Sequence, residues 1–155
     1  MKISHKTDLN VPMETVWNVL ADFSKYPEWN PVALSVEGTA ARDAEVRMRL
    51  KLSGSPERAV EADITGLTPP KYLSFETRHR WGEWFLREEW IFRMQTKGAG
   101  VRFFAEAYVT GLGLRFRRAR VEDAFRRSLW NFADALKERI GNSQSDSGSP
   151  ERSAT

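Results

Sequence analysis

The chain has 155 residues, 41% apolar and 29% charged, with a formal net charge of +3 and no cysteine. That length favours one domain with a substantial core, and the absence of cysteine excludes disulfides and thiol nucleophiles. MKISHKTDLN carries no apolar run after its lysine and nothing approaches the ~18 apolar residues of a membrane span, so the expectation is a cytoplasmic protein with no transmembrane segment.

Residues 2–10 alternate weakly and predict a first strand. Pro12 suits a helix start and Glu14 its positive end. Val16, Leu20 and Phe23 give that helix one apolar face. Ser24 is expected to cap a second, shorter helix with Pro27 in its first turn. Asn30-Pro31 ends it, because a residue before proline is pushed out of the helical region. Strict alternation follows. In AEVRMRLKL (44–52), Val46, Met48, Leu50 and Leu52 share one face. RAVEADI (58–64) turns Val60, Ala62 and Ile64 inward, LSFETRHRW (73–81) turns Leu73, Phe75, Thr77, His79 and Trp81, and WFLREEWIFRM (84–94) turns Trp84, Leu86, Glu88, Trp90, Phe92 and Met94. VRFFAEAYV (101–109) turns Val101, Phe103, Ala105, Ala107 and Val109. Turn residues separate the runs: Ser53 to Pro56, Pro69-Pro70, Gly82-Glu83 and Gly98 to Gly100. The pattern is an antiparallel meander with one dry face. A helix over about 116–140 carries the stripe Val121, Phe125, Leu129, Phe132, Leu136 and Ile140, with Gly141 as its stop. It is the element long enough to cover the sheet. The last fourteen residues, 142–155, hold five serines and no large apolar side chain, so they read as a disordered tail beside a domain over 1–141.

Chemistry-bearing residues are few. His5 belongs to the first strand and is expected to see solvent. If Gly82-Glu83 is a two-residue hairpin turn, Trp81 pairs with Trp84, His79 with Leu86, Thr77 with Glu88 and Phe75 with Trp90. His79 and Glu88 then become diagonal neighbours on the dry face. A carboxylate and an imidazole there can do acid–base work, with Glu88 as the acid–base group and His79 its partner. No cluster has metal-ligand spacing, and no phosphate loop or nucleophile elbow is present, so neither a metal nor another cofactor is expected. Small Ala62, Ala105 and Ala107 beside Phe75, Trp81, Trp84, Trp90 and Phe103 either interdigitate with the rings or leave room for a ligand. Inward tryptophans favour a flat aromatic or polycyclic guest. Arg115, Arg117, Arg118, Arg120, Arg126 and Arg127 form a basic run, read as a solvated helix face or an anionic docking strip.

The segment VPMETVWNVLADFSKYPEWNP, followed by a meander and a long terminal helix, resembles the START-like (SRPBCC, helix-grip) superfamily, the polyketide cyclase/dehydrase and lipid-transport family. The matching letters are Val16-Trp17, Phe23 and Tyr26-Pro27-Glu28-Trp29. The resemblance implies an α+β helix-grip fold: a curved antiparallel sheet of about seven strands wrapped around the C-terminal helix, with two short helices after the first strand. It also implies an elongated apolar cavity between sheet and helix. Strand parity, the helix stripe and this resemblance together nominate Tyr26, Trp29, Met48, Leu50, Phe75, Thr77, Trp81, Trp90, Phe103, Ala105, Phe125 and Leu129 as ligand-binding residues. Relatives of this kind cyclise and dehydrate polyketides or carry lipids and quinones. Cyclases of the family place an arginine in the cavity, whereas most arginines here fall on the wet face by parity. The expected partner is a hydrophobic small molecule and not DNA. The alternative is a non-catalytic carrier, or an interaction protein acting through the basic helix.

Overall fold

A computed structural model of the chain describes residues 1–78 and 86–147. In chain order it has β1 (Lys2–Leu9), α1 (Met13–Ala21), a 3₁₀ turn (Phe23–Lys25), α2 (Tyr26–Trp29), β2 (Ala33–Glu37), β3 (Glu45–Leu50), β4 (Arg58–Thr68), β5 (Tyr72–Arg78), β6 (Arg87–Lys97), β7 (Gly100–Thr110) and α3 (Leu114–Ser147). The seven strands form one antiparallel sheet in the order β1-β7-β6-β5-β4-β3-β2.

Alternation does the sorting. In β3 the side chains of Val46, Met48 and Leu50 are buried while Glu45, Arg47 and Arg49 face water. A register shift between Ile64 and Gly66 bulges β4 against β5, and bulges bend sheets. Gly66 is needed there, because a Cβ on it would lie 2.6 Å from the Tyr72 ring. Gly98, at φ +58°, makes the tight link that pairs Lys97 with Gly100. Against the inner face lies α3. Phe125, Leu129, Phe132, Leu136 and Ile140 are buried along it, with small Ala124, Ser128 and Ala133 between them. Each large apolar side chain so buried contributes about 1.5–3 kcal/mol.

The aromatic bend closes one end. Phe23 and Tyr26 are buried, and edge-on ring contacts run from Phe23 to Tyr26 (5.3 Å) and from Tyr26 to Trp29 (5.2 Å), then on to Phe132 of α3 (5.5 Å). The Tyr26 hydroxyl donates to the carbonyl of Leu20 (2.5 Å), and burial pushes its phenol far above the usual tyrosine range. Glu28 accepts from Arg139 across to α3 (2.6 Å).

Two local expectations are corrected, and one strand is added. Ser24 does not cap α2. Its hydroxyl donates to Asp22 (2.5 Å), and Lys25 occupies the cap position without a side-chain bond. A short edge strand, β2, follows Pro31 and completes the expected seven. Gly141 does not stop α3, which runs on to Ser147. Gly141 is not among the positive-φ glycines, and the serines beyond it bond back one turn: Ser143 to the Arg139 carbonyl (2.9 Å) and Ser145 to that of Gly141 (3.1 Å). Of the segment 142–155, the first six residues are therefore helical.

Candidate functional site

Among the described residues the inner face carries a charged pair between its middle strands. Glu88 is the second residue of β6 and Arg58 the first of β4. One guanidinium nitrogen of Arg58 donates to both Glu88 oxygens, at 2.5 and 2.8 Å. Glu88 is only 1% exposed, whereas the Arg58 side chain keeps 22% of its surface in contact with solvent. Across β3 the backbone partner of Arg58 is Leu50, and two residues along β6 on the same face stands Trp90. Thr77 is buried beside them, its hydroxyl donating to the Glu88 carbonyl (3.4 Å).

Two expectations change here. Glu88 faces inward, but Arg58 occupies both of its oxygens. Arg58 in turn supplies the interior arginine that the wet-face reading had missed. The signal was available: 58 has the same parity as Val60, Ala62 and Ile64, so the strand's first residue belonged on the dry face. The expected hairpin register holds where it is described, with Phe75 opposite Trp90. His79, Trp81, Trp84 and the Gly82-Glu83 turn lie outside the described residues. His5 is half-buried against Trp130, their rings 5.1 Å apart.

Beside the pair, Tyr26, Asn30, Val32, Ala33, Leu50, Phe75, Trp90, Phe92 and Phe132 enclose an apolar void of about 20 Å³. A void of that size suits a single small group, since small-molecule pockets run to roughly 300–1,000 Å³. In this part of the grip the elongated cavity is nearly filled by rings. Phe92 packs on Phe132 (4.9 Å) and Phe103 (6.0 Å), and Trp90 on Phe125 (5.2 Å) and Phe75 (6.2 Å). Ala105 stands opposite Phe92 and Ala107 opposite Trp90, so these small residues accommodate the neighbouring strand's rings. Met48, Phe103, Ala105, Phe125 and Leu129 are all buried in the same core, and Trp29 is half-buried at its edge.

The walls of this void hold two unspent donors. Asn30 is a residue the sequence reading used only as a helix stop. Its Oδ1 accepts from the backbone N–H groups of Val32 (3.0 Å) and Ala33 (2.9 Å), which fixes the amide's orientation. That leaves its Nδ2, and likewise Trp90 Nε1, buried with no acceptor among the described residues. Such a donor costs about 1–3 kcal/mol unless something accepts from it. No group of His, Asp and Glu among the described residues could hold a metal ion.

A curved antiparallel sheet closed on one long helix, with aromatic walls and a few interior polar groups, is a helix-grip ligand-binding domain of the START-like class. The chain belongs to the family described as polyketide cyclase/dehydrase and lipid transport, whose family model matches residues 1–141. A START superfamily protein from Mycobacterium smegmatis superposes with a TM-score of 0.76 at 18% identity, over 91% of this chain and 97% of that one. The Zhui aromatase/cyclase from Streptomyces sp. R1128 gives 0.79 at 15% identity, over 97% and 99%. At these identities the likeness is one of fold. No curated protein matches the sequence. Among the described residues no helix is long and apolar enough to cross a membrane.

Proposed function

We propose that this protein binds a hydrophobic, aromatic or polycyclic small molecule, and that Arg58 and Glu88 promote the cyclisation and dehydration of a polyketide-like chain that yields such a molecule. The observation that carries the reading is the Arg58–Glu88 pair on the inner face. A buried ion pair adds little stability over well-packed apolar residues, so a chemical role gives a better account of its presence. The donors at Asn30 and Trp90 add places for ligand oxygens, and the aromatic walls match a planar guest. The resemblance in fold to an aromatase/cyclase fits the same chemistry.

In this reading Glu88 removes a proton from a carbon between two carbonyls, and Arg58, permanently cationic, steadies the enolate oxygen. The enolate carbon attacks a second carbonyl of the same chain, forming a C–C bond. The resulting alkoxide takes the proton back from Glu88. Glu88 then removes a second proton from the carbon beside the remaining carbonyl and hands it to the departing hydroxyl, which leaves as water and completes the dehydration. His79 stays the proposed partner of Glu88. The void of about 20 Å³ requires that rings move aside for a guest of that size.

Native mass spectrometry of freshly purified protein, followed by assay on a synthetic linear poly-β-ketothioester, tests the proposal. Binding that survives Glu88→Gln, with turnover reduced ~100-fold or more, supports it. Normal turnover in that variant removes the catalytic role, and no saturable binding of any flat aromatic probe removes the site. Plain carriage is the second reading, and one observation favours it: both Glu88 oxygens are already engaged by Arg58.

A further inference from the structure

Residues 115–120, in the first turns of α3, are all exposed, so this stretch of helix buries no face. Leu114, the first residue of the helix, is half-buried against the core, and packing resumes only at Val121 and Ala124. A helix without a buried face draws little stability from tertiary packing. The chain here reads GLGLRFRRARV (111–121) and contains no carboxylate. Arg126 bonds Glu122 and Arg127 bonds Asp123 one turn away, whereas Arg115, Arg117, Arg118 and Arg120 have no carboxylate partner among the described residues. Four cations at the positive end of a helix oppose its dipole, and nothing acidic stands in the first turn to offset them. Between and before these arginines are two large apolar side chains in open water: Phe116 at 87% exposure and Leu112 at 67%. The backbone at Arg117 leaves helical geometry (φ −131°, ψ 18°), so the segment also departs from the rest of the rod.

We propose that this end of α3 docks on an anionic lipid bilayer, with Leu112 and Phe116 inserted at the acyl boundary and the four arginines on lipid phosphates. Charge complementarity selects the partner, because the segment is purely cationic. The exposed aliphatic and aromatic pair selects a bilayer among anionic partners. A membrane interface offers an apolar layer directly beneath a sheet of negative charge, which matches apolar side chains interleaved with arginines. Nucleic acid would use the arginines and could stack on Phe116, but gives Leu112 no comparable medium. This surface is separate from the interior site and stands whether or not that site is catalytic.

The test is co-sedimentation of the full chain with large unilamellar vesicles at 100 mM salt or below. Vesicles of phosphatidylcholine with about one-third phosphatidylglycerol should bind it, and pure phosphatidylcholine should not. Binding should weaken as salt rises, because surface charge is screened over ~10 Å at 0.1 M. Each arginine near the surface is worth about a fivefold change in partition. Arg115→Gln/Arg118→Gln should therefore lower it ~25-fold. Leu112→Ser/Phe116→Ser, which keeps every charge, should also lower it severalfold. These side chains are exposed, so the variants should keep the wild-type circular dichroism and melting temperature. Equal partition onto neutral and anionic vesicles, no binding to either, or full binding by the serine variant overturns the proposal. So does saturable binding to a single-stranded RNA oligomer without binding to anionic vesicles, which would assign the patch to nucleic acid.

Discussion

Replacing Arg58 by methionine should be far more damaging than replacing its partner. The perturbation removes a cation that keeps 22% of its side-chain surface in solvent and strands a carboxylate that is 1% exposed. Two bonds go, at 2.5 and 2.8 Å, and Glu88 cannot turn to water. Breaking a buried pair from one side costs about 3–5 kcal/mol. In a chain of this length that corresponds to roughly 6–20 °C of melting temperature. Glu88→Leu is the milder change, about 1–2 kcal/mol, because the guanidinium keeps its contact with solvent and an aliphatic side chain fills the site. With both charges gone, Arg58→Met/Glu88→Leu should return to within about 1 kcal/mol of the parent. Urea denaturation of the four proteins gives the coupling energy and separates this pair from everything else Arg58 touches. Additive costs, or an Arg58→Met penalty below about 1 kcal/mol, would refute the claim that the two charges are held together in the dry interior.

Three further outcomes are expected. Ala105→Trp, at a fully buried position opposite Phe92, should overpack the core and lower stability by about 1–3 kcal/mol, read by thermal melting. Glu106 is buried, which alone would raise its pKa, but the bonds from Arg93 and Lys2 outweigh burial and hold the carboxyl below its ordinary range. Its folded value is thus the lower one, so its stabilisation is complete at neutral pH and is lost as the pH falls from the ordinary carboxylate range through the folded value; Glu106→Gln should flatten that acid limb of stability against pH. Removing 142–155 should leave the melting temperature unchanged within about 2 °C, because the helical residues 141–145 are exposed and bury no core face.

Period-two and period-3.6 patterning made the sheet and its helix readable before any coordinates. A strand with one buried face has little freedom of register, which is why the Phe75–Trp90 pairing followed from composition and turn length alone. Glu88 could be placed inward by the same parity. Its partner was missed although the signal was there: Arg58 shares the parity of Val60, but a charge at a strand's first position reads as a boundary residue. Asn30 escaped for another reason. Its role at the end of α2 explains its presence, and only three dimensions reveal that two backbone donors claim its oxygen and leave the nitrogen over. The continuation of α3 past Gly141 was opaque because serine propensity argues against helix, while hydroxyl back-bonds to carbonyls one turn earlier need the helix to be there first. Whether small residues leave space or receive a neighbour's ring likewise depends on cross-strand pairing, which lists of alanines do not contain.

Ser128 sits at the middle of α3, fully buried, and its hydroxyl does two jobs. It donates to the Ala124 carbonyl (2.7 Å) and accepts the backbone N–H of Ser53 (2.9 Å) in the loop between β3 and β4. Asn131 adds a second tie to the Ser53 hydroxyl (3.3 Å). That loop is the one that delivers Arg58 to Glu88. The exposed arginines Arg115 to Arg120 lie about two to three and a half turns earlier on the same helix, some ~12–20 Å away at the helical rise. The helix beyond the kink at Arg117 is therefore tied to that loop at a serine: a slide or tilt of this part of α3 cannot leave the Ser53 peptide in place without parting these bonds. Helix and loop are joined by a stitch, and Ser128→Ala, which cuts it and leaves only the Asn131 tie, is the change that would loosen the loop bearing Arg58 from the helix.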